Sequence, residues 1–142
     1  MKTPFNFMMF KTFHAQRNQI RMGMGEHGLS PGQPKVLRYM ADHPECKLKD
    51  IAQHCDVEPA TVSKILGHLE AAEMLTRAVG ADDKRSLSLC ITKKGKTALS
   101  WWNTHCEAVD DRSLNGFSDT ERKQFEEYLS RMYFNLSGRT LD

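Results

Sequence analysis

The sequence predicts a mainly α-helical chain carrying one small β-hairpin, and three observations lead there. Apolar residues recur at the 3.6-residue helical period through several segments of helical length. Pro, Gly and Ser/Thr residues punctuate those segments at positions suited to helix starts and stops. Only after Leu75 does the period change to 2. There Thr76 to Val79 makes a short strand candidate and Gly80-Ala81-Asp82-Asp83 supplies turn chemistry. Leu87, Leu89 and Ile91 then alternate with Ser86, Ser88 and Cys90. The chain has 142 residues, about one domain's worth. Its 39% hydrophobic and 27% charged content is that of a globular protein, able to bury a core without staples.

Taken in order, Pro4 to about Glu26 forms a long first helix, with Phe5, Met8, Met9, Thr12, Phe13 and Ile20 on one side. Gly23, Gly25 and Gly28 weaken and stop it. Ser30-Pro31 is the expected start of a second helix, carrying Val36, Leu37 and Met40 and ending before Pro44. Leu48, Ile51, Ala52 and Cys55 stand at i, i+3, i+4 and i+7 on a third helix from about Lys47. Asp56-Val57 interrupts. Pro59 opens a fourth helix, expected to run to Met74, with Val62, Ile65, Leu66 and Leu69 inside. Two short amphipathic helices across so brief a turn form a helix-turn-helix, and a tight hairpin directly behind it is a wing. Thr92 can cap a helix through Leu99, Trp102, Cys106 and Val109. Ser118 can cap a last one through Phe125, Leu129, Met132 and Leu136.

The net charge of +2 conceals an uneven layout. Residues 1–100 carry +5 and residues 101–142 carry −3, which suggests two surfaces with different partners. No stretch approaches the roughly 20 apolar residues of a membrane span. The run from Phe5 to Phe10 is too short for a signal-peptide core. Cys46, Cys55, Cys90 and Cys106 lack CxxC spacing, so a cytoplasmic protein with reduced thiols is expected. GxSxG, HExxH and Walker A signatures are absent, so no enzyme and no cofactor is expected.

On the fourth helix, the face opposite Val62, Leu66 and Leu69 shows Thr61, Ser63, Lys64 and His68, beside the small Ala60, Gly67 and Ala71. A helix about 10–12 Å across fits the major groove of B-DNA, where hydroxyl, ammonium and imidazole groups reach bases or phosphates. The hairpin adds Arg77, Lys84 and Arg85, with Lys93, Lys94 and Lys96 just behind. An arginine on a narrow hairpin can enter the electronegative minor groove, and Asp83 is spaced to orient Arg85.

These segments resemble the MarR family of transcriptional regulators. The run Gly28-Leu29-Ser30-Pro31-Gly32-Gln33-Pro34-Lys35-Val36-Leu37 resembles the entry to their second helix. Leu48-Lys49-Asp50-Ile51-Ala52, Thr61-Val62-Ser63-Lys64-Ile65-Leu66 and Leu69-Glu70 resemble their helix-turn-helix. Asp83-Lys84-Arg85 with Leu87, Leu89, Ile91-Thr92 and Gly95 resembles their wing. Glu58, where a Ser or Asp cap is common, and Gly67-His68, in place of a more polar pair, depart from the pattern. The resemblance implies a winged helix-turn-helix in a single domain spanning 1–142. Residues 30–100 would form the DNA-binding lobe, and 1–29 plus 101–142 an interlocked dimer domain. It implies a homodimeric repressor or activator on a pseudo-palindromic operator in double-stranded DNA, its DNA affinity changed by a small molecule, an oxidant or a metal. Thr61, Ser63 and Lys64 match recognition-helix contacts, Arg85 the minor-groove arginine and Asp83 its orienting partner. The crowded aromatics of the first and last helices agree, since two copies would bury them.

A small aromatic or phenolic effector is a further expected partner, in a pocket bounded by Phe10, Phe13, His14, Met40 and Trp102. Two alternatives accompany the leading reading: a winged-helix interaction module that does not bind DNA, and a thiol-based redox sensor. A redox-sensing thiol would have to be exposed and activated, and Cys46, beside Lys47 at a helix start, is the cysteine that fits that description best. Cys55, Cys90 and Cys106 are expected in core or interface. His43-x-x-Cys46, His54-Cys55 and His105-Cys106 lie on separate elements and form no metal set. Gly23-Met24-Gly25-Glu26-His27-Gly28 matches GxGxxG as text but follows a helical stretch, so it is a helix end and not a dinucleotide loop.

Overall fold

Helix α1 (Phe5–Arg21) opens the chain, followed by a single 3-10 turn at Gly25–His27. Helices α2 (Gln33–Asp42), α3 (Leu48–Cys55) and α4 (Pro59–Ala71) come next. Strands β1 (Leu75–Val79) and β2 (Leu87–Ile91) precede α5 (Lys93–Ser113) and α6 (Asp119–Ser137). This computed structural model describes residues 2–79 and 87–141. Two units are distinguished, Met1–Glu107 and Ala108–Asp142.

The first unit is built around the inner faces of α2, α3 and α4. Val36 and Leu37 from α2, Ile51 from α3, and Val62, Leu66 and Leu69 from α4 are fully buried together. Met74, Leu75 and Leu89 close the cluster beneath the hairpin. Burying each such side chain contributes about 1.5–3 kcal/mol, so this cluster sets the rotation of α4. The α3–α4 turn is made by Asp56, whose backbone is left-handed at φ 54, and by Val57, whose N–H donates to the Ala52 carbonyl at 3.0 Å. Strands β1 and β2 pair antiparallel, Leu75 opposite Ile91 and Arg77 opposite Leu89. Leu89 is buried while Ser88 and Cys90 are exposed, the alternation a half-buried hairpin requires.

Three boundaries differ from expectation. Helix α1 stops at Arg21 rather than near Glu26, because Gly23 takes a left-handed conformation at φ 84. Ser30-Pro31 does not start α2. Gly32 at φ 90 is its N-cap, and Pro34 lies in the first turn. The Gln33 side chain folds back to accept from the Ser30 N–H at 2.9 Å, so Ser30 belongs to the preceding turn. Helix α4 ends at Ala71 rather than Met74, because Glu73 turns left-handed at φ 62 and delivers Met74 into the core.

Both expected caps form. The Thr92 hydroxyl accepts from the Gly95 N–H at 3.1 Å. Ser118 and Glu121 make a reciprocal capping box at 3.1 and 2.9 Å, and the Ser118 hydrogen bonds hold the Glu121 carboxyl below its usual range.

Helix α1, despite its aromatic content, buries no residue; Phe5 is 65% exposed and Phe10 and Phe13 are more than half exposed. Helix α6 in the second unit likewise buries none, and Phe125, Tyr128, Leu129 and Phe134 are exposed on it.

The two faces of α4 should respond oppositely to truncation. Leu66→Ala is expected to lower unfolding stability by about 2–5 kcal/mol in denaturant titration, through loss of buried surface and a residual cavity. Thr61→Ala, on the exposed face, should stay within about 0.5 kcal/mol.

Candidate nucleic-acid interface

Helix α4 is pinned on one side by Val62, Leu66 and Leu69, and this leaves Thr61, Ser63, Lys64 and His68 exposed. Thr61, Lys64 and His68, at i, i+3 and i+7, form one stripe, with Ser63 beside it. Gly67 lies next to them, and open space surrounds the position its Cβ would take. Pro59 occupies the first turn, and Glu58 makes no side-chain cap. The first amides of α4 are therefore not closed off by a capping side chain, which leaves a partial positive charge at that end.

Arg77 is placed differently from the rest of the expected set. It sits on β1, half-buried, with Nε 3.5 Å from Glu70 Oε2 at the end of α4. It ties the hairpin to the helix. Asp83, Lys84 and Arg85 lie outside the described residues. Lys93, Lys94 and Lys96 are all exposed at the start of α5, and Lys94 donates from Nζ to the Ala72 carbonyl at 2.8 Å.

A second concave region lies beside α1. A cavity of about 230 Å³ is lined by Phe13, Arg17, Ile20, Arg21, Lys35 and Trp102, among others. Of the expected pocket residues it brings together Phe13 and Trp102. Phe10 and His14 stack on each other at 5.1 Å outside it, and Met40 is buried in the core. Three cations line this cavity and no carboxylate does. The Arg17 guanidinium lies 6.0 Å from the Phe13 ring and 2.7 Å from His14 Nε2. Its own Nε is buried without a hydrogen-bond partner. Arg17, Arg21 and Lys35 were not anticipated, although Phe13, Arg17 and Arg21 stand four apart on one helical stripe.

Trp101 was also missed. Its ring is stacked between His27 at 3.9 Å and His105 at 4.9 Å. His105 donates from Nε2 to the Gln19 and Ile20 carbonyls at 3.1 and 3.0 Å, closing the end of α1. Trp101 and His105 stand four apart on α5, but the contacts to His27, Gln19 and Ile20 join residues more than 70 positions apart, which helical period cannot reveal.

The cysteines correct two expectations. Cys46 is only 6% exposed, and burial, with Asp50 nearby, raises its thiol pKa. It is neither accessible nor activated. Burial also raises Cys55. Cys90, expected inside, is exposed because it falls on the outer face of β2. Among the described residues, no group of three or more His, Cys, Asp or Glu side chains is arranged to hold a metal ion, and no helix is long and apolar enough to cross a membrane.

Known proteins agree with this geometry. The family model described as MarR family matches residues 27–86, from the end of the 3-10 turn into the wing. The transcriptional repressor MdtR of Bacillus subtilis is 29% identical over 112 residues, covering 79% of this chain and 72% of its own. The S. aureus MepR–DNA complex superposes with a TM-score of 0.83 at 20% identity, over 94% of this chain and 97% of MepR. BpsR of Bordetella bronchiseptica, whose DNA binding is regulated by 6-hydroxynicotinic acid, gives a TM-score of 0.80 at 19% identity, over 91% and 92% of the two chains. Over residues 27–86, which hold its helix-turn-helix and the first strand of its hairpin, the chain is similar to the MarR family of transcriptional regulators.

Proposed function

We propose that the protein is a homodimeric repressor that binds a pseudo-palindromic site in double-stranded DNA in the cytoplasm. The observation that carries this reading is α4, buried along Val62, Leu66 and Leu69 and exposed along Thr61, Ser63, Lys64 and His68. Such a helix enters a major groove, with hydroxyls on phosphates or bases and Lys64 on phosphate or guanine. Lys84 and Arg85 of the wing reach the flanking backbone and minor groove, with Asp83 orienting Arg85. Arg77 keeps the hairpin against α4 through Glu70. Residues 30–100 act as the DNA-binding lobe. The DNA complex known for MepR supports this mode of binding.

The exposed apolar rows on α1 and on α6 are each more than a solvated helix tolerates, and a second copy covers them. Residues 1–29 and 101–142 therefore serve dimerisation. Two recognition helices held in one dimer read half-sites about one helical turn, roughly 10–10.5 bp, apart.

A small aromatic or phenolic effector carrying negative charge fits the cavity of Phe13, Arg17 and Trp102, where aromatic walls meet uncompensated cations. Regulation of BpsR by 6-hydroxynicotinic acid supports this class of ligand. The effector acts by binding the two DNA-competence states unequally.

Three outcomes are expected. In titrations of a duplex selected from a random pool, Lys64→Ala and Arg85→Ala each weaken binding and lower the slope of log affinity against log salt by about one; unchanged affinity in both rejects the groove assignment. Light scattering of the purified protein at micromolar concentration gives a dimeric mass and no monomer. Hydroxybenzoate-type compounds weaken duplex binding by the wild type and do so less in Arg17→Gln, read by fluorescence anisotropy.

A further inference from the structure

We propose that Thr92 and Lys94 are positioning residues for DNA recognition, clamping the C-terminal end of α4 to the start of α5 and thereby holding the recognition face at a set tilt. The proposal rests on the DNA reading above. The carbonyls of His68, Leu69 and Glu70 at the end of α4 accept from the N–H groups of Ala72, Met74 and Glu73. The next three carbonyls, in the turn that leaves α4, are each taken by the 92–94 segment. Lys94 Nζ donates to Ala72 at 2.8 Å, the Thr92 hydroxyl to Glu73 at 2.7 Å, and the Thr92 N–H to Met74 at 3.0 Å. The same Thr92 hydroxyl accepts from the Gly95 N–H, so one side chain ties the turn after α4 to the first turn of α5.

Two further features show how closely this junction is made. Glu73 is held left-handed at φ 62, a conformation that a non-glycine residue keeps only when its surroundings impose it. A Cβ on Gly95 would collide with the Met74 carbonyl, so α5 reaches the α4 terminus only because residue 95 is glycine. The buried row on α4 fixes its rotation about its own axis. The 92–95 junction fixes its far end. By composition Lys94 counts among the basic residues behind the wing, yet its ammonium is spent on a helix-end carbonyl, where the helix dipole favours a cation.

Positioning and direct phosphate contact predict different salt behaviour. A residue on phosphate contributes about one unit to the salt slope; a residue acting through the Ala72 carbonyl contributes none. The test uses the full chain as Lys94→Met, Lys94→Arg and the double variant Thr92→Val/Lys94→Met, on a duplex selected by the wild type. The double variant is expected to lose roughly fivefold or more in affinity, as two hydrogen bonds holding the competent state are removed, with an unchanged salt slope. Lys94→Arg should retain affinity, since a guanidinium still donates to the carbonyl. Hydrogen exchange in peptides covering 69–76 should quicken in the double variant relative to the wild type, without DNA present. A slope lowered by one in Lys94→Met overturns the proposal in favour of a phosphate contact. Unchanged affinity and exchange in the double variant overturns the clamp. A wild type that binds no duplex overturns the DNA reading itself, and the exchange measurement then still reports whether the junction is a clamp.

Discussion

The burial of Val62, Leu66 and Leu69 against α2 and α3 is the constraint from which the rest of the molecule follows. A helix buried on one stripe has no rotational freedom left, and what stands opposite that stripe is thereby committed to solvent. On α4 those committed residues are two hydroxyls, an ammonium and an imidazole. The same packing dictates where the hairpin sits. Met74 and Leu75 must join the core directly after α4, and the left-handed turn at Glu73 makes that possible within three residues.

Electrostatics at this surface is divided between two jobs. Lys64 and the other exposed cations remain available to an anionic partner. Arg77 and Lys94 are engaged within the chain, with Glu70 and with the Ala72 carbonyl. An ion pair as exposed as Arg77 with Glu70 adds little stability, generally below about 1 kcal/mol, so its value is geometric. It fixes where the strand leaves the helix.

The terminal helices obey a different logic. Amphipathic helices normally hide their apolar face inside the chain, but α1 and α6 each bury nothing. The aromatic rows are complete as interaction surfaces and incomplete as core. The homodimer proposed above reconciles the two, with a second copy as the missing cover. Within the first unit, His105 fastens the last carbonyls of α1 and Arg38 donates to Asn103 at 2.8 Å, so α5 is tied to both α1 and α2. The same helix begins at the clamp on α4. A change of position in α1 thus has a physical route to the recognition helix.

What the sequence determined by itself was local: the helical stripes of α3 and α4, the two-residue alternation of β2, the caps at Thr92 and Ser118, and the exposed set Thr61, Ser63, Lys64 and His68. All depend on spacing along the chain, which determines the face that a given residue shares. The tertiary structure alone decided where a side chain goes once it leaves its own element. It paired Arg77 with Glu70 and Lys94 with the Ala72 carbonyl, buried Cys46, displaced the start of α2 from Ser30 to Gln33, and gathered Arg17, Arg21 and Lys35 around Phe13 and Trp102. Periodicity carries no information on contacts between residues tens of positions apart. Those contacts are set by packing, by left-handed turns such as Glu73 and Gly32, and by the need of each helix-end carbonyl for a donor.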